Sequence, residues 1–304
     1  VGVGVGETAA SRGGDGPLWS GDGGFATVSG REGAGAAQIG AISGVGGIQS
    51  DATVALDPPV ESAQADASAI ADPSINSVSN PAASALNSWQ WDMRAIGAPA
   101  AWAAGKLGKS TVTVAILDTG IDYDNPDLNG QVDLSRSVSF MDTYVLTTGE
   151  TIVRPSDNKV STTYFPTRNK ISDYNGHGTN VAATVSSNAV VFAGVGSKTK
   201  LIGVKVLGSN GSGSFGQILS GVLWAADHGA DVANMSLGGG FSKAGNGRLV
   251  GAINKVFNYA KQQGMLIVVS AGNSGEDLQL NGNTYSSFYD ASHVVCVSSV
   301  VLTK

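Results

Sequence analysis

The sequence predicts an α/β fold, a doubly wound and mostly parallel sheet flanked by helices, and three observations carry that reading. Val112, Val114, Ala115, Ile116 and Leu117 make a near-continuous apolar run, the pattern of a strand buried on both faces. Beyond them, short apolar runs alternate with amphipathic helical stretches, as successive βαβ units require. The composition agrees: 42% hydrophobic and 14% charged residues with 43 glycines suit a compact, loop-rich enzyme better than a charged binding protein.

Taken in order, residues 1–87 stand apart. The first 50 are glycine-dense, from VGVGVG to GVGG, and DPPVESAQADASAIADPS follows. Such a stretch buries too little apolar surface to offset its ordering entropy, so a disordered N-terminal arm is expected. VGVGVG follows no strand and opens no helix, which argues against a dinucleotide loop. The folded domain is expected over 88–304. It opens with NSWQWDMRAIGAPAAW, whose Trp89, Trp91, Met93, Ile96 and Trp102 are expected to anchor it to a core. A polar turn over Lys106–Ser110 leads to the apolar strand. Residues 132–172 include YVLTTGETIV, two β-prone runs about Thr148-Gly149 that read as a hairpin.

Regular alternation follows. A small-residue helix, GTNVAATVSS, precedes the strand KLIGVKVL. The next helix presents Ile218, Leu219, Val222, Leu223 and Ala226 on one face. DVANMSL is a strand. Leu249, Val250, Ile253, Val256, Phe257 and Ala260 then line a helix stopped by Gly264. MLIVVS and HVVCVSSVV complete the strands.

A net charge of −6 offers no basic patch, so nucleic acid is not an expected partner. No apolar run reaches the ~18 residues of a membrane span. Val1 opens without a basic leader region, and a signal peptide is expected to be already absent. Cys296, the single cysteine, allows no internal disulfide and is expected as a buried core thiol.

Asp118 ends the apolar strand and is followed by Thr119 and Gly120. Ligands of open α/β sheets bind outside the carboxyl ends of strands, although an isolated Asp there reads first as a turn or cap residue. The three histidines differ. His228, before Gly229, suits the carbonyl end of a helix, and His293 lies in the polar approach to a strand. His177 lies between Gly176 and Gly178 at the start of a helix whose Ala182 and Ala183 allow close packing. Paired with a strand-end acid, it is a base oriented by a carboxylate. Asn273, in SAGNSG, forms an Asx turn if alone; beside an acid and a His its amide can donate to an oxyanion.

AILDTGID, NGHGTNVA, VLGSNGSG, NMSLGG and SAGNSG occur in the order and rough spacing of the subtilisin-like serine proteases, and about residues 88–304 resemble that family. The resemblance implies that Asp118 orients the histidine, that His177 is the general base and that Asn273 is the oxyanion donor. It implies that Gly211, Ser212 and Gly213, with Ser236, Leu237 and Gly238, are extended segments between which substrate pairs as an added strand. Ala271 and Gly272 would line the pocket for the side chain before the cut. Asp127, in NPDL, matches a position that ligates structural calcium in many relatives. The segment SSNAVVFAGVG is shorter and less polar than the usual calcium loop, so no cofactor is expected to be required. Asn180 stands where the family usually has a second His. Polypeptide substrates, a monomer and an extracellular location follow from the same resemblance.

The family's nucleophile sits in a Gly-Thr-Ser-Met-Ala type motif at the start of a late helix. Ser236, Ser270 and Ser274 belong to other motifs. The 304 residues are therefore expected to lack the serine and to be inactive in acyl transfer, an incomplete sequence being a simpler reason than a natural pseudoenzyme. The alternative is a non-catalytic peptide-binding module. Asp-Thr-Gly at 118–120 does not make an aspartic protease, which needs two such carboxylates, and no His-Glu-x-x-His supports a metal hydrolase.

Overall fold

Every side chain from Thr113 to Asp118 is buried, and the secondary structure is arranged around that strand. The computed structural model describes residues 2–6, 18–20, 25–28, 45–56, 77–141, 144–145, 151–152, 171–273, 275, 277, 282–285 and 288–300. Its strands are β1 (Gly2–Gly6), β2 (Leu18–Ser20), β3 (Phe25–Val28), β4 (Val45–Ser50), β5 (Thr53–Ala55), β6 (Thr113–Asp118), β7 (Val138–Ser139) and β8 (Tyr144–Val145). They continue with β9 (Thr151–Ile152), β10 (Lys200–Lys205), β11 (Ser212–Ser214), β12 (Val232–Met235), β13 (Phe241–Ser242), β14 (Leu266–Ser270), β15 (Thr284–Tyr285) and β16 (Val294–Val297). The α-helices are α1 (Trp91–Ala95), α2 (Ala98–Ala103), α3 (His177–Val185), α4 (Phe215–Asp227) and α5 (Gly247–Gln262). Two compact units divide the chain, one of residues 57–210 and 230–232, the other of 1–56, 211–229 and 233–304.

In the first unit β6 pairs in parallel with β10, from Thr113 opposite Lys200 to Asp118 opposite Lys205, and β10 pairs in parallel with β7. On the other side of β6, the Asp231 N–H donates to the Thr113 carbonyl at 2.9 Å, and the Thr113 N–H donates to the Asp231 carboxylate at 2.8 Å. Val232 begins β12 there. Val114, Ile116, Ile121, Leu128, Ile171, Ala182 and Leu201 form the core, with α3 over the sheet. β8 and β9 pair antiparallel, Tyr144 with Ile152 and Val145 with Thr151, as the predicted hairpin requires; Thr148-Gly149 lies outside the described residues.

The lead-in has its own small core of Met93, Ala98, Trp102, Leu107 and Ala193, and the Trp102 indole N–H donates to the Val195 carbonyl at 3.0 Å. Trp89 and Ile96, expected in a core, are instead 67% and 66% exposed. The reason is geometric: Trp89 ends a short 3-10 turn, Asn87–Trp89, that buries no side chain, while α1 is only five residues long and buries Met93 alone, with Ile96 its C-cap. Residues 77–87 differ from the expected arm, because Ser77, Pro81 and Ser84 are buried and Ala85 and Leu86 donate to the carbonyls of Val190 and Val191.

The second unit holds the remainder of β12, then β14 and β16, which run parallel from Ile267 opposite Val294 to Ser270 opposite Val297. With the strands above, this makes six parallel strands with flanking helices, the predicted class. Ser214 caps α4 in a reciprocal capping box with Gln217, and the helix buries Phe215, Ile218, Leu219, Val222 and Leu223. Phe215 meets Phe241 edge to face with ring centres 5.2 Å apart. α5 buries Leu249, Ile253, Val256, Phe257 and Ala260 and ends before Gly264 at φ +89°. Strand β16, the partner of β14, corrects one expectation. Cys296 is exposed rather than a core thiol, because β16 is an edge strand whose Val295 and Val297 are 45% and 52% exposed.

The glycine-rich start also carries backbone structure. β1 pairs antiparallel with β3 and β4, and β2 with β3. β5 pairs antiparallel with β11, Val54 opposite Gly213, and the Val54 side chain is fully buried.

Candidate active site

Asp118 is the last residue of β6 and is 1% exposed. A carboxylate in that position must be hydrogen-bonded or neutralised, since burying a bare charge is expensive. The Thr119 N–H donates to its Oδ1 at 2.7 Å. His177 provides the other contact: Nδ1 lies 2.8 Å from Oδ1 and 3.0 Å from Oδ2 of Asp118. With an acceptor-only carboxylate opposite, Nδ1 carries the hydrogen and donates, so Nε2 of the neutral ring is the open acceptor. The imidazole is 37% exposed, against 1% for its partner.

Two glycines make this pairing possible. Gly176 is the N-cap of α3 at φ +98°, a left-handed conformation that aims His177 from the first helical position. At Gly178 an added Cβ would lie 2.2 Å from the Gly120 carbonyl oxygen and 3.1 Å from Asp118 Cβ, so only glycine lets the helix come this close to β6.

The hydrogen bond to Asp118 holds the His177 imidazole above its ordinary pKa of 6.5, outweighing partial burial, and the charges of Asp118 and Asp173 push the same way. Asp173 was not singled out by the sequence. It is 8% exposed and accepts from the Thr119 hydroxyl, the Asn175 and Gly176 N–H groups, and the Thr179 N–H and hydroxyl. Burial alone would raise its pKa, but these hydrogen bonds outweigh it and hold the carboxyl below the usual range. Lys205 was also missed; it is fully buried and donates to the Thr119 carbonyl. Burial pushes its ammonium down to about 8, against the pull of Asp173 and Asp118. The only sequence signal was a cation ending an otherwise apolar strand.

The other histidines behave as read. His228 caps α4, its Nδ1 2.8 Å from the Trp224 carbonyl and its ring stacked on Trp224. His293 precedes β16 at φ +66°.

Asn273 and the predicted substrate-binding residues belong to the second unit. Ser212 and Gly213 lie in β11, and Gly211, at φ +73°, accepts from the Leu56 N–H at 2.9 Å. The edge expected to take a peptide strand is thus paired with the chain's own β5. An added Cβ at Gly239, next to Gly238, would meet Val54 Cα at 3.1 Å, so the same segment of chain also lies against the end of the Ser236, Leu237, Gly238 stretch. The Ser236 hydroxyl accepts from the Asn234 amide, and Leu237 is buried. Ala271 donates to the Val297 carbonyl at 2.9 Å, Gly272 sits at φ +90°, and the Asn273 side chain is exposed.

Asp127, in the first unit, is surrounded by backbone donors. Its Oδ1 accepts the N–H groups of Val190 and Val191 at 2.7 and 3.0 Å, and its Oδ2 accepts that of Phe192 at 3.0 Å. The Gln90 amide both donates to and accepts from the Ala193 backbone at 2.8 Å. Calcium takes six to eight oxygen ligands, whereas three N–H donors converge on this carboxylate. Among the described residues no group of three or more His, Cys, Asp or Glu could hold a metal.

A buried strand-end carboxylate lies on the Nδ1 side of a half-open imidazole, and comparison with known proteins gives the family. The Subtilase family's sequence profile matches residues 109–301. The chain belongs to that family of serine proteases. It is 32% identical over 231 residues to the major intracellular serine protease of Bacillus subtilis, covering 75% of this chain and 62% of the relative. It is 35% identical over 187 residues to subtilisin Savinase of Lederbergia lenta, covering 61% and 56%. The chain thus spans about half to three-fifths of the length of these relatives. Another relative is the minor extracellular protease Vpr of Bacillus subtilis, at 33% identity over 180 residues, 59% of this chain and 20% of that protein. Among solved structures, the epidermin leader peptide processing serine protease from Staphylococcus aureus shares the fold at a TM-score of 0.57 and 24% identity, over 71% of this chain and 52% of that one.

The raised pKa of His177 fixes the sign of one prediction. The pairing stabilises the fold fully below about 6.5, the unfolded value, and that contribution is lost as pH rises through the higher folded value. Urea melts should therefore show a larger advantage of the parent chain over His177→Ala at pH 6 than at pH 9, whereas an advantage growing with pH would contradict the pairing.

Proposed function

We propose that the protein is a serine endopeptidase in which His177 is the general base, oriented by Asp118, and that the nucleophile is a serine outside the motifs of these 304 residues. The pairing of His177 Nδ1 with both carboxylate oxygens of Asp118 carries this reading. As the serine oxygen attacks the peptide carbonyl carbon, its proton passes to Nε2, and Asp118 stabilises the imidazolium that forms. The C–N bond then breaks, and the same proton goes to the leaving amine. Water repeats the cycle on the acyl-enzyme. Asn273 donates to the oxyanion. Gly211, Ser212 and Gly213, with Ser236, Leu237 and Gly238, hold the substrate backbone, and Ala271 and Gly272 line the pocket before the cut, which favours sizeable apolar side chains.

The pairing of β11 with β5 supports strand addition at that edge and also favours a second reading, a module that binds extended peptides without cleaving them. The enzyme works as an extracellular monomer on polypeptides, with no calcium at Asp127.

A fluorophosphonate probe tests the assignment of the serine: the 304-residue chain should remain unlabelled, and labelling would show that one of its own serines is activated. Addition of the family's Gly-Thr-Ser-Met-Ala segment and the elements around it should confer peptide hydrolysis, which His177→Ala lowers by a factor on the order of 10⁴ or more. Peptide binding without turnover in that longer chain would favour the binding module. Melting temperatures in EDTA and in millimolar calcium should coincide, because only an ion that binds the native state raises stability; a calcium-dependent rise abolished by Asp127→Asn would overturn the reading of that carboxylate.

A further inference from the structure

Thr119, Asp173 and Lys205 are buried, Thr119 next to Asp118 in the chain and Lys205 opposite it in the sheet register. Their hydrogen bonds join the two elements that carry the pair. The Thr119 hydroxyl donates to Asp173 Oδ1 at 2.9 Å and accepts the Gly178 N–H at 2.9 Å. It therefore links the turn after β6 to the residue following His177. Asp173 Oδ1 also takes the N–H groups of Asn175 and Gly176 at 2.9 and 3.0 Å, and Oδ2 takes the Thr179 N–H and hydroxyl at 2.9 and 2.6 Å. Five donors converge on one carboxylate, and together they fix the first turn of α3. The Thr179 hydroxyl in turn accepts the Asp122 N–H at 3.0 Å, a second connection to the segment after β6. Lys205 lies opposite Asp118 in the parallel register and reaches the Thr119 carbonyl.

This arrangement is more than a helix cap. A cap alone would satisfy the amides of α3, but here the same carboxylate also grips the hydroxyl of the residue next to Asp118. The site thus contains two buried carboxylates and one buried ammonium in a region where Coulomb interactions are weakly screened. We propose that Asp173 is a positioning residue that sets the distance between Asp118 and His177 through Thr119, and that Lys205 is the buried counter-charge balancing the two carboxylates. This deepens the reading of His177 as the base. The test reads the imidazole directly, so it can fail while that reading stands.

The charged groups acting on His177 in this unit are Asp118 from β6 and Asp173 from the segment before α3, and both carboxylates in turn favour the charged form of Lys205 on β10. Removing either buried charge therefore has a defined sign. NMR titration of the His177 ring in the full chain should give a midpoint shifted to lower pH in Asp173→Asn and to higher pH in Lys205→Met. Thr119→Val leaves both charges in place and breaks the link, so it should weaken or abolish the low-field Nδ1–H resonance of the pair. Thr119→Ser keeps the hydroxyl and should restore that resonance. Near-UV circular dichroism identifies variants that keep the native packing, and only those are scored. Native-like Asp173→Asn with an unchanged midpoint would overturn the proposal, as would shifts of the same sign in Asp173→Asn and Lys205→Met. If Asp173→Asn does not fold, the Thr119 pair and Lys205→Met decide. An intact Nδ1–H resonance in Thr119→Val would then overturn the positioning role, and an unmoved or lowered midpoint in Lys205→Met would overturn the counter-charge.

Discussion

The buried carboxylate of Asp118 constrains everything near it. A charge that is 1% exposed at the end of an apolar strand is tolerable only if its oxygens are occupied by donors. Thr119 supplies one from the adjacent peptide and His177 another from 59 residues away. The requirement reaches outward from there. α3 must approach β6 closely enough for the imidazole to reach, which is why Gly178 faces the Gly120 carbonyl and why no side chain fits between them. The turn after Asp118 must be held, and the carbonyl of Thr119 is held by Lys205.

Much of this was legible in the sequence because it is local. The apolar run ending at Asp118 gives a strand with an acid at its carboxyl end, and glycines on both sides of His177 give a histidine at a tight helix entry. Amphipathic spacing gives α4 and α5. Asp173 was not legible, because its ligands to Thr119 and Thr179 lie 54 residues away in one direction and six in the other, and nothing in SDYNGHG separates a network carboxylate from a loop aspartate. Lys205 was missed because a lysine at a strand end ordinarily reaches solvent, whereas this one is completely buried beside two acids. Trp89, Ile96 and Cys296 failed for the opposite reason. Apolar character predicts burial only when a second layer covers the residue; the 3-10 turn ending at Trp89 and the short α1 bury neither of the first two, and β16 is an edge.

The second unit shows how an extended segment is recognised. A short glycine- and serine-rich strand such as Ser212–Ser214 offers backbone N–H and C=O groups and little side chain, so its pairing is set by main-chain geometry. Thr53–Ala55 meets that geometry in antiparallel register and seats Val54 in a fully buried position. Asp51 adds a carboxylate at the N-terminus of α4, accepting from the Gly216 N–H at 3.1 Å. A peptide that uses this edge must replace both the ladder and the buried valine.

Asp118, hydrogen-bonded to Nδ1, fixes the tautomer of His177 and leaves Nε2 to accept a proton. ¹⁵N chemical shifts of the His177 ring, measured above its titration midpoint, report directly which nitrogen carries the hydrogen. The parent chain should show a protonated Nδ1 and a bare Nε2, with that preference weakened in Asp118→Ala. A neutral ring protonated mainly at Nε2 in the parent chain would contradict it.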